Sequence, residues 1–522
     1  MSFLSGRWPR KTFNVVLISS CIAAYILIEV SPFFNLVLEL FGTETLQYTI
    51  VMLSVLLNIG FVLIVILRLH DLNHSSWWSI LGFIPFINVL LAILLMVWPG
   101  VSIENRYKKM LITMAKIFTF AIFTVLLLQV DDDLTSEVTE YVSLIENRRL
   151  NGSEAYLYFN GIAAPEEKQI LSQGRQLLAS YNNASDNVFS ALNTTDKINK
   201  SEKLALPDNK NEMYCHIPNA GCLEQIINSS SNWKNEVYKF SSIIKRYDKF
   251  IQYTEFTTLT RADHSSPSPA SNYLTFGNKL KIFSALLLAE SGKAEEAIDM
   301  LLHDNQYLRK HLALADSIIH KLIFKLMFSN NLDIIVYINS TYKVEKPIKI
   351  AHLSHSEMSL KYPIVREFIK EYNTYLDAVR NPDDWSGMPG WMVRIIFKPN
   401  MTINERVLRY NDIISLASLS AEEFTKRVLN SEPIRKSERN YRNYAGSVMI
   451  EEPITYLSGE IARLHDLNVK ISLANFILSN RVQPLENPYG SLYNQTIEKG
   501  DFICLGGPLE DKYNSRCIRN KI

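Results

Sequence analysis

RYKKMLITMAKIFTFAIFTVLLLQVDDDLTSE, residues 106–137, decides the fold of this chain. An apolar run from Met110 to Val130 is long enough to cross the ~30 Å hydrocarbon layer as a helix, at 1.5 Å per residue. Arg106, Lys108 and Lys109 precede it, and Asp131, Asp132, Asp133, Glu137 and Glu140 follow it. Lysine and arginine near a span mark the cytoplasmic side, so this asymmetry places everything after residue 130 outside the cytoplasm.

Working back toward the amino terminus, residues 13–30 and 46–67 are apolar stretches of spanning length without lysine or arginine. Arg7, Arg10 and Lys11 hold the amino terminus inside, and the connection carrying Glu39 and Glu44 suits the outside. No small-residue cleavage site follows Glu29-Val30-Ser31-Pro32, so the first stretch reads as a span and not as a signal peptide. The segment Trp77 to Trp98 has basic residues on both flanks and contains Pro85. It is either a re-entrant or interfacial element bent at the proline, or a plain fourth span that overrides one weak charge signal and puts the amino terminus outside. The number of crossings between residues 69 and 105 stays open.

Within this region stand Arg68-Leu69-His70-Asp71, Trp77-Trp78, Ile84-Pro85-Phe86-Ile87, Pro99-Gly100 and Glu104-Asn105-Arg106-Tyr107. In that order and spacing, residues 60–109 resemble a family of small bacterial inner-membrane proteins of unknown function. The resemblance implies a bacterial inner-membrane location and no established activity, and the chain departs from it in continuing far beyond Tyr107. Read physically, Arg68, His70, Asp71, Trp77, Trp78, Asn105, Arg106 and Tyr107 form a membrane-interface motif, with arginine for phosphates and tryptophan for the headgroup zone. The sharper alternative, a His70–Asp71 pair on an ion pathway, conflicts with its place at the membrane edge.

Composition bounds the rest. Fifty-four basic and fifty-three acidic residues leave a net charge of +1, which gives no field for nucleic acid. The expected partners are membrane lipid and envelope proteins.

Residues 131–522 read as mainly helical. Leu312, Ala315, Ile319, Leu322 and Leu326 recur at helical spacing and predict one apolar stripe. Thr402 with Glu405 and Ser420 with Glu423 have capping-box spacing. Gly292 is expected to turn a helical hairpin, similar to one tetratricopeptide unit but without a second copy at a fixed period. Pro and Ser at 264–271 mark a linker, and another loop falls at 381–390. Beyond Pro484, residues 491–504 predict a short hairpin. The expected architecture is therefore mainly α: a polytopic membrane domain, 1–130, with three or four apolar helices, then helical lobes at 131–264 and 265–481, and a hairpin-like tail at 482–522.

Cys215, Cys222, Cys504 and Cys517 all follow residue 130, where disulfides persist if the region lies outside the cytoplasm. Of three possible connectivities, Cys215–Cys222 and Cys504–Cys517 each close a short loop. Free buried thiols, or zinc with His216, are the alternatives.

Candidate chemistry is sparse. His352, His355 and Glu357 suit a transition metal by residue type but lack the spacing of a helical zinc motif. Asp316 and His320 lie four apart and have the types of a general-base pair, with a local hydrogen bond as the ordinary alternative. Asp383, Asp384, Trp385 and Trp391 make a possible binding surface for sugar or peptide. Arg-Leu-His-Asp-Leu-Asn occurs twice, at 68–73 and 463–468, and the second copy reads as a coincidence in an amphipathic helix. No Gly-x-Ser-x-Gly elbow, phosphate loop or dinucleotide fingerprint is present, and neither metal nor cofactor is expected. The sequence favours a membrane-anchored binding or scaffolding protein over an enzyme. A periplasmic hydrolase of envelope material and a transport-associated protein are the other classes.

Overall fold

Thr135 opens the helical part of the chain, its hydroxyl accepting from the Val138 amide. The computed structural model describes residues 128–184, 203–208, 212–219, 221–263, 266, 269–381, 389–430, 440–451 and 455–519, with isolated positions Val65, Leu69, Leu95, Thr119 and Phe123. The chain divides into two compact units, Met1–Leu127 and Leu128–Ile522. Among the described residues no helix is long and apolar enough to cross a membrane. The apolar stretches 13–30, 46–67, 77–98 and 110–130 lie, but for those isolated positions and 128–130, outside the described residues.

The second unit is mainly helical. Its early helices are α1 (Ser136–Leu150), α2 (Glu154–Gly161), α3 (Ile170–Ala184), α4 (Cys222–Asn228), α5 (Ser230–Lys239) and α6 (Ser241–Ile251). The central ones are α7 (Asn272–Glu290), α8 (Ala294–Leu314), α9 (Ile318–Tyr342), α10 (His355–Met358) and α11 (Lys361–Arg380). They are followed by α12 (Gly390–Ile396), α13 (Pro399–Ser418), α14 (Ala421–Leu429), α15 (Tyr444–Glu451) and α16 (Thr455–Leu478). Buried side chains from Val138 to Ile518 join in one apolar core.

Gly292 turns the chain between α7 and α8 at φ +88°, a conformation open to glycine without strain. The pair is the hairpin expected there. Ser420 and Glu423 form a complete capping box at the start of α14. Thr402 does not cap anything: α13 begins earlier, with Pro399 in its first turn, and Thr402 is buried with its hydroxyl donating to Lys398 O. The N-terminal amides of α13 are met instead by the Asp131 carboxylate, whose oxygens accept from Asn400 N at 2.8 Å and Met401 N at 3.1 Å. A cap supplied from so far along the chain leaves no local signature.

The stripe from Leu312 to Leu326 is also interrupted. α8 ends at Leu314 and α9 starts anew with Ser317 as its cap, leaving Ile319 exposed. Asp316 sits in the break, where its carboxylate accepts from Thr258 N at 2.8 Å and Thr258 Oγ1 at 2.6 Å. The core face of α9 is formed by His320, Lys321, Phe324, Lys325 and Phe328.

The tail is a three-stranded antiparallel sheet, β1 (Thr496–Lys499), β2 (Phe502–Leu505) and β3 (Cys517–Arg519), in that order. The expected hairpin is β1–β2. The third strand, too short to read in the sequence, pairs Cys504 with Cys517 across the ladder, and a disulfide joins them with Cα atoms 4.0 Å apart. The second disulfide, Cys215–Cys222, closes the loop before α4. Lys279 of α7 donates to the carbonyls of Tyr214 and Cys215 and fastens that loop to the core.

Candidate functional site

α16 carries the second Arg-Leu-His-Asp-Leu-Asn, and its surroundings are not those of an amphipathic surface helix. Leu464, His465, Asp466 and Leu467 are all buried. Three side chains at successive turns of α16 hold the extended segment 350–353 that precedes α10. Asn475 Oδ1 accepts from Ile350 N and its Nδ2 donates to Ile350 O, both at 2.8 Å. Ser472 Oγ meets His352 Nε2 at 2.9 Å, and Asn468 Oδ1 accepts from Leu353 N at 2.8 Å.

His465 is the next position on this face, and here the ladder stops. Its Nε2 is buried and has no hydrogen-bond partner among the described residues. The ring lies between Phe424, 5.2 Å away between centroids, and Tyr489, 6.1 Å away. Burial pulls its pKa down to about 4, so the imidazole is neutral at physiological pH.

His465 and Asn468 line a cleft of about 680 Å³. One wall comes from α10 and its flanks, including His355, Met358, Ser359 and Lys361, and the other from the α13–α14 junction, including Ile414, Leu419, Ser420 and Glu423. The lining mixes apolar side chains with polar ones, of which Asn468 holds Leu353 N and Ser420 and Glu423 bond each other in the capping box of α14. Behind the first wall, Lys321 of α9 donates to Ser359 O at 2.5 Å, and burial lowers its pKa to about 7. A lysine in that range changes charge near neutral pH beside the cleft.

Elsewhere on α16, two ion pairs are buried. Lys470 Nζ lies 2.7 Å from Asp333 Oδ2, with side chains 1% and 6% exposed. Asp466, next to His465, accepts from Tyr489 OH at 2.8 Å and Arg516 Nη1 at 3.0 Å. Burial raises the Asp466 pKa, with Arg516 acting against it. Lys325 reaches Ser515 Oγ at 3.4 Å and is lowered to about 8 by burial. These contacts join α9, α16 and the tail.

The residues singled out in the sequence are placed differently. Glu357 is engaged by Arg309, whose Nε and Nη2 meet its two oxygens at 2.6 and 2.8 Å, and it closes a capping box with Ser354. Burial raises the Glu357 pKa, but the Arg309 and Ser354 hydrogen bonds outweigh it and the net shift is downward. With Glu357 so held and His352 bound to Ser472, His352, His355 and Glu357 do not converge as a ligand set. Asp316 is bound by Thr258, while His320 is packed against Phe159 and Phe256 at 5.5 and 5.3 Å, its Nδ1 without a partner among the described residues. Trp391 is exposed on α12. Asp383, Asp384 and Trp385 lie outside the described residues, as do Arg68, His70, Asp71, Trp77, Trp78, Asn105, Arg106 and Tyr107. The cleft itself was missed, although the repeated hexapeptide pointed at His465 and Asn468.

The fold and cleft define a disulfide-bonded, mainly helical domain. Residues 2–109 match a family described as proteins of unknown function (DUF805), known as small membrane proteins. The match takes in every element from Arg68 to Tyr107 on which the sequence resemblance rests and assigns nothing to residues 110–522. No curated protein and no solved structure matches the chain.

Proposed function

We propose that this protein is a membrane-anchored binding protein, held by residues 1–130 in a bacterial inner membrane and presenting the cleft of residues 131–522 on the periplasmic side to a small ligand or a segment of an envelope protein. The observation that carries the reading is His465: a buried, neutral imidazole lining a cleft, with an Nε2 that has no hydrogen-bond partner among the described residues. An unmet buried polar atom costs about 1–3 kcal/mol, a cost removed when a ligand supplies the partner. Neutral imidazole both donates and accepts, so the ligand needs one hydrogen-bonding group at its inner end and apolar surface for Met358, Ile414 and Leu419.

The envelope location draws support from the charge asymmetry about residues 110–130, from the two disulfides, and from the family match over residues 2–109.

The test is thermal unfolding of the purified full chain against a panel of envelope-derived peptides and glycans. A ligand at about 100 times its Kd stabilises the native state by about 2.7 kcal/mol. The reading expects such a rise in Tm for the wild type, and its loss in His465→Phe and in Leu419→Trp, which fills the cleft from its rim. A panel without any stabilising compound, or variants that respond like the wild type, contradicts it.

A further inference from the structure

Two short helices of the second unit expose large apolar side chains as well as burying some. In α15 the residues turned to the core are Gly446, Ser447 and Ile450, while Tyr444, Val448 and Met449 are exposed by 51%, 47% and 38%. Gly446 is required there, because a Cβ at that position would lie 2.1 Å from Thr402 Oγ1 of α13. In α12, Gly-Trp-Met-Val-Arg-Ile-Ile, Val393 is the buried side chain, whereas Trp391 and Ile396 are exposed by 48% and 37% and Arg394 also faces out. The two helices pack on each other and on the turn Tyr441–Asn443. Large apolar side chains exposed on adjacent elements mark a surface that meets something other than water.

The position of this patch says what that is. Arg442, in the turn that leads into α15, donates from Nη2 to Val130 O at 2.8 Å and pairs with Asp132 at 3.0 Å. Asn443 Oδ1 accepts from Lys398 N at 2.8 Å, next to the α13 N-terminus that Asp131 caps. Asn400 and Asn404 donate to the carbonyls of Asp132 and Asp133, each at 2.8 Å. The patch and residues 130–133 are therefore one hydrogen-bonded assembly, and residues 110–130 are the most polarised apolar stretch of the chain.

We infer that Trp391, Ile396, Tyr444, Val448 and Met449 rest in the headgroup zone of the bilayer that residues 110–130 cross, seating the domain on the membrane surface. The inference rests on the reading of 110–130 as a span. Tryptophan and tyrosine suit that zone because each has an apolar body and a polar tip, and Arg394 supplies a cation for lipid phosphate. Seating of this kind fixes the orientation of a domain that a single covalent tether leaves free to rotate.

The test uses the full chain with Cys21→Ser and one new cysteine, labelled with an environment-sensitive fluorophore, in phosphatidylethanolamine–phosphatidylglycerol vesicles with or without nitroxide-bearing acyl chains. Labels at Val448→Cys and Trp391→Cys report the patch. Phe123→Cys reports the apolar stretch, and Tyr238→Cys on α5, 85% exposed, reports a site away from the patch. Nitroxide lipid is expected to quench positions 123, 448 and 391 by about twofold or more and to leave 238 unchanged. Quenching at 123 with 448 and 391 behaving like 238 overturns the seating and leaves the span standing. Absence of quenching at all four positions overturns both. A blue-shifted but unquenched label at 448 shows protein covering the patch, from this chain or a second copy, and also overturns the inference.

Discussion

The two sides of α9 are held by opposite means. Toward α2, α6 and α8 it presents Phe324, which stacks on Phe250 at 6.1 Å and meets Phe256 at 6.2 Å, with the buried His311 and His320 among the rings. Toward α16 and the tail it presents Lys325 and Asp333, whose neighbours are Ser515 and Lys470. The aromatic side is non-directional and tolerates a change of shape in proportion to the volume lost. The charged side is directional, and each member is needed to keep its partner from standing alone in the core. α16, which carries the cleft residues His465 and Asn468, is the helix held by this second kind of packing.

Breaking the comparison starts with the charges. Asp333→Ala leaves Lys470 buried without its partner and is expected to cost about 3–5 kcal/mol in denaturant unfolding, whereas Asp333→Leu with Lys470→Met recovers most of the loss. Recovery that fails would show the pair itself to be stabilising beyond mutual neutralisation. On the aromatic side, Phe324→Ala is expected to cost about 3–4 kcal/mol and Phe324→Leu about 1 kcal/mol, a graded response without any need for a second substitution. An all-or-none response there would erase the distinction.

Removing the Cys504–Cys517 bridge by a double change to alanine should cost about 2–4 kcal/mol and loosen the tail from α16, read as faster hydrogen exchange in β2 and β3. The pH response reads the buried histidines, His311 and His320 on the aromatic side and His465 on α16. Burial lowers His311 and His320 to about 4, so between about 6.5 and 4 the unfolded chain binds protons that the folded one refuses. Stability is then present above 6.5 and lost as pH falls toward 4, at up to ~1.4 kcal/mol per pH unit for each histidine. His320→Phe should flatten that slope, and an unchanged slope would place the titration elsewhere. Smallest of all, Ser420→Ala should cost about 1 kcal/mol by opening the capping box at the cleft rim.

Features legible in the sequence were those encoded locally. Gly292, the Ser420–Glu423 box, the break beyond Pro484 and the two short-range cysteine pairs each carry their signal within a few residues. What escaped is encoded across the chain. The start of α13 depends on Asp131, the break before α9 depends on Asp316 meeting Thr258, and Glu357 is held by Arg309 from another helix. Lys321, Lys325, Asp333 and Lys470 read as surface residues in any window, since only the fold buries them and supplies their partners. His465 shared that fate: its repeated hexapeptide was visible, but the cleft that gives it meaning is made by three separate segments.

The proposed place of residues 131–522 at the outer face of a membrane is tested most directly by labelling Cys215, Cys222, Cys504 and Cys517 with a membrane-impermeant thiol reagent in spheroplasts expressing the full chain. Labelling from outside is expected only after a reductant has opened the two bridges. Labelling that requires lysis of the membrane would place residues 131–522 in the cytoplasm and contradict it.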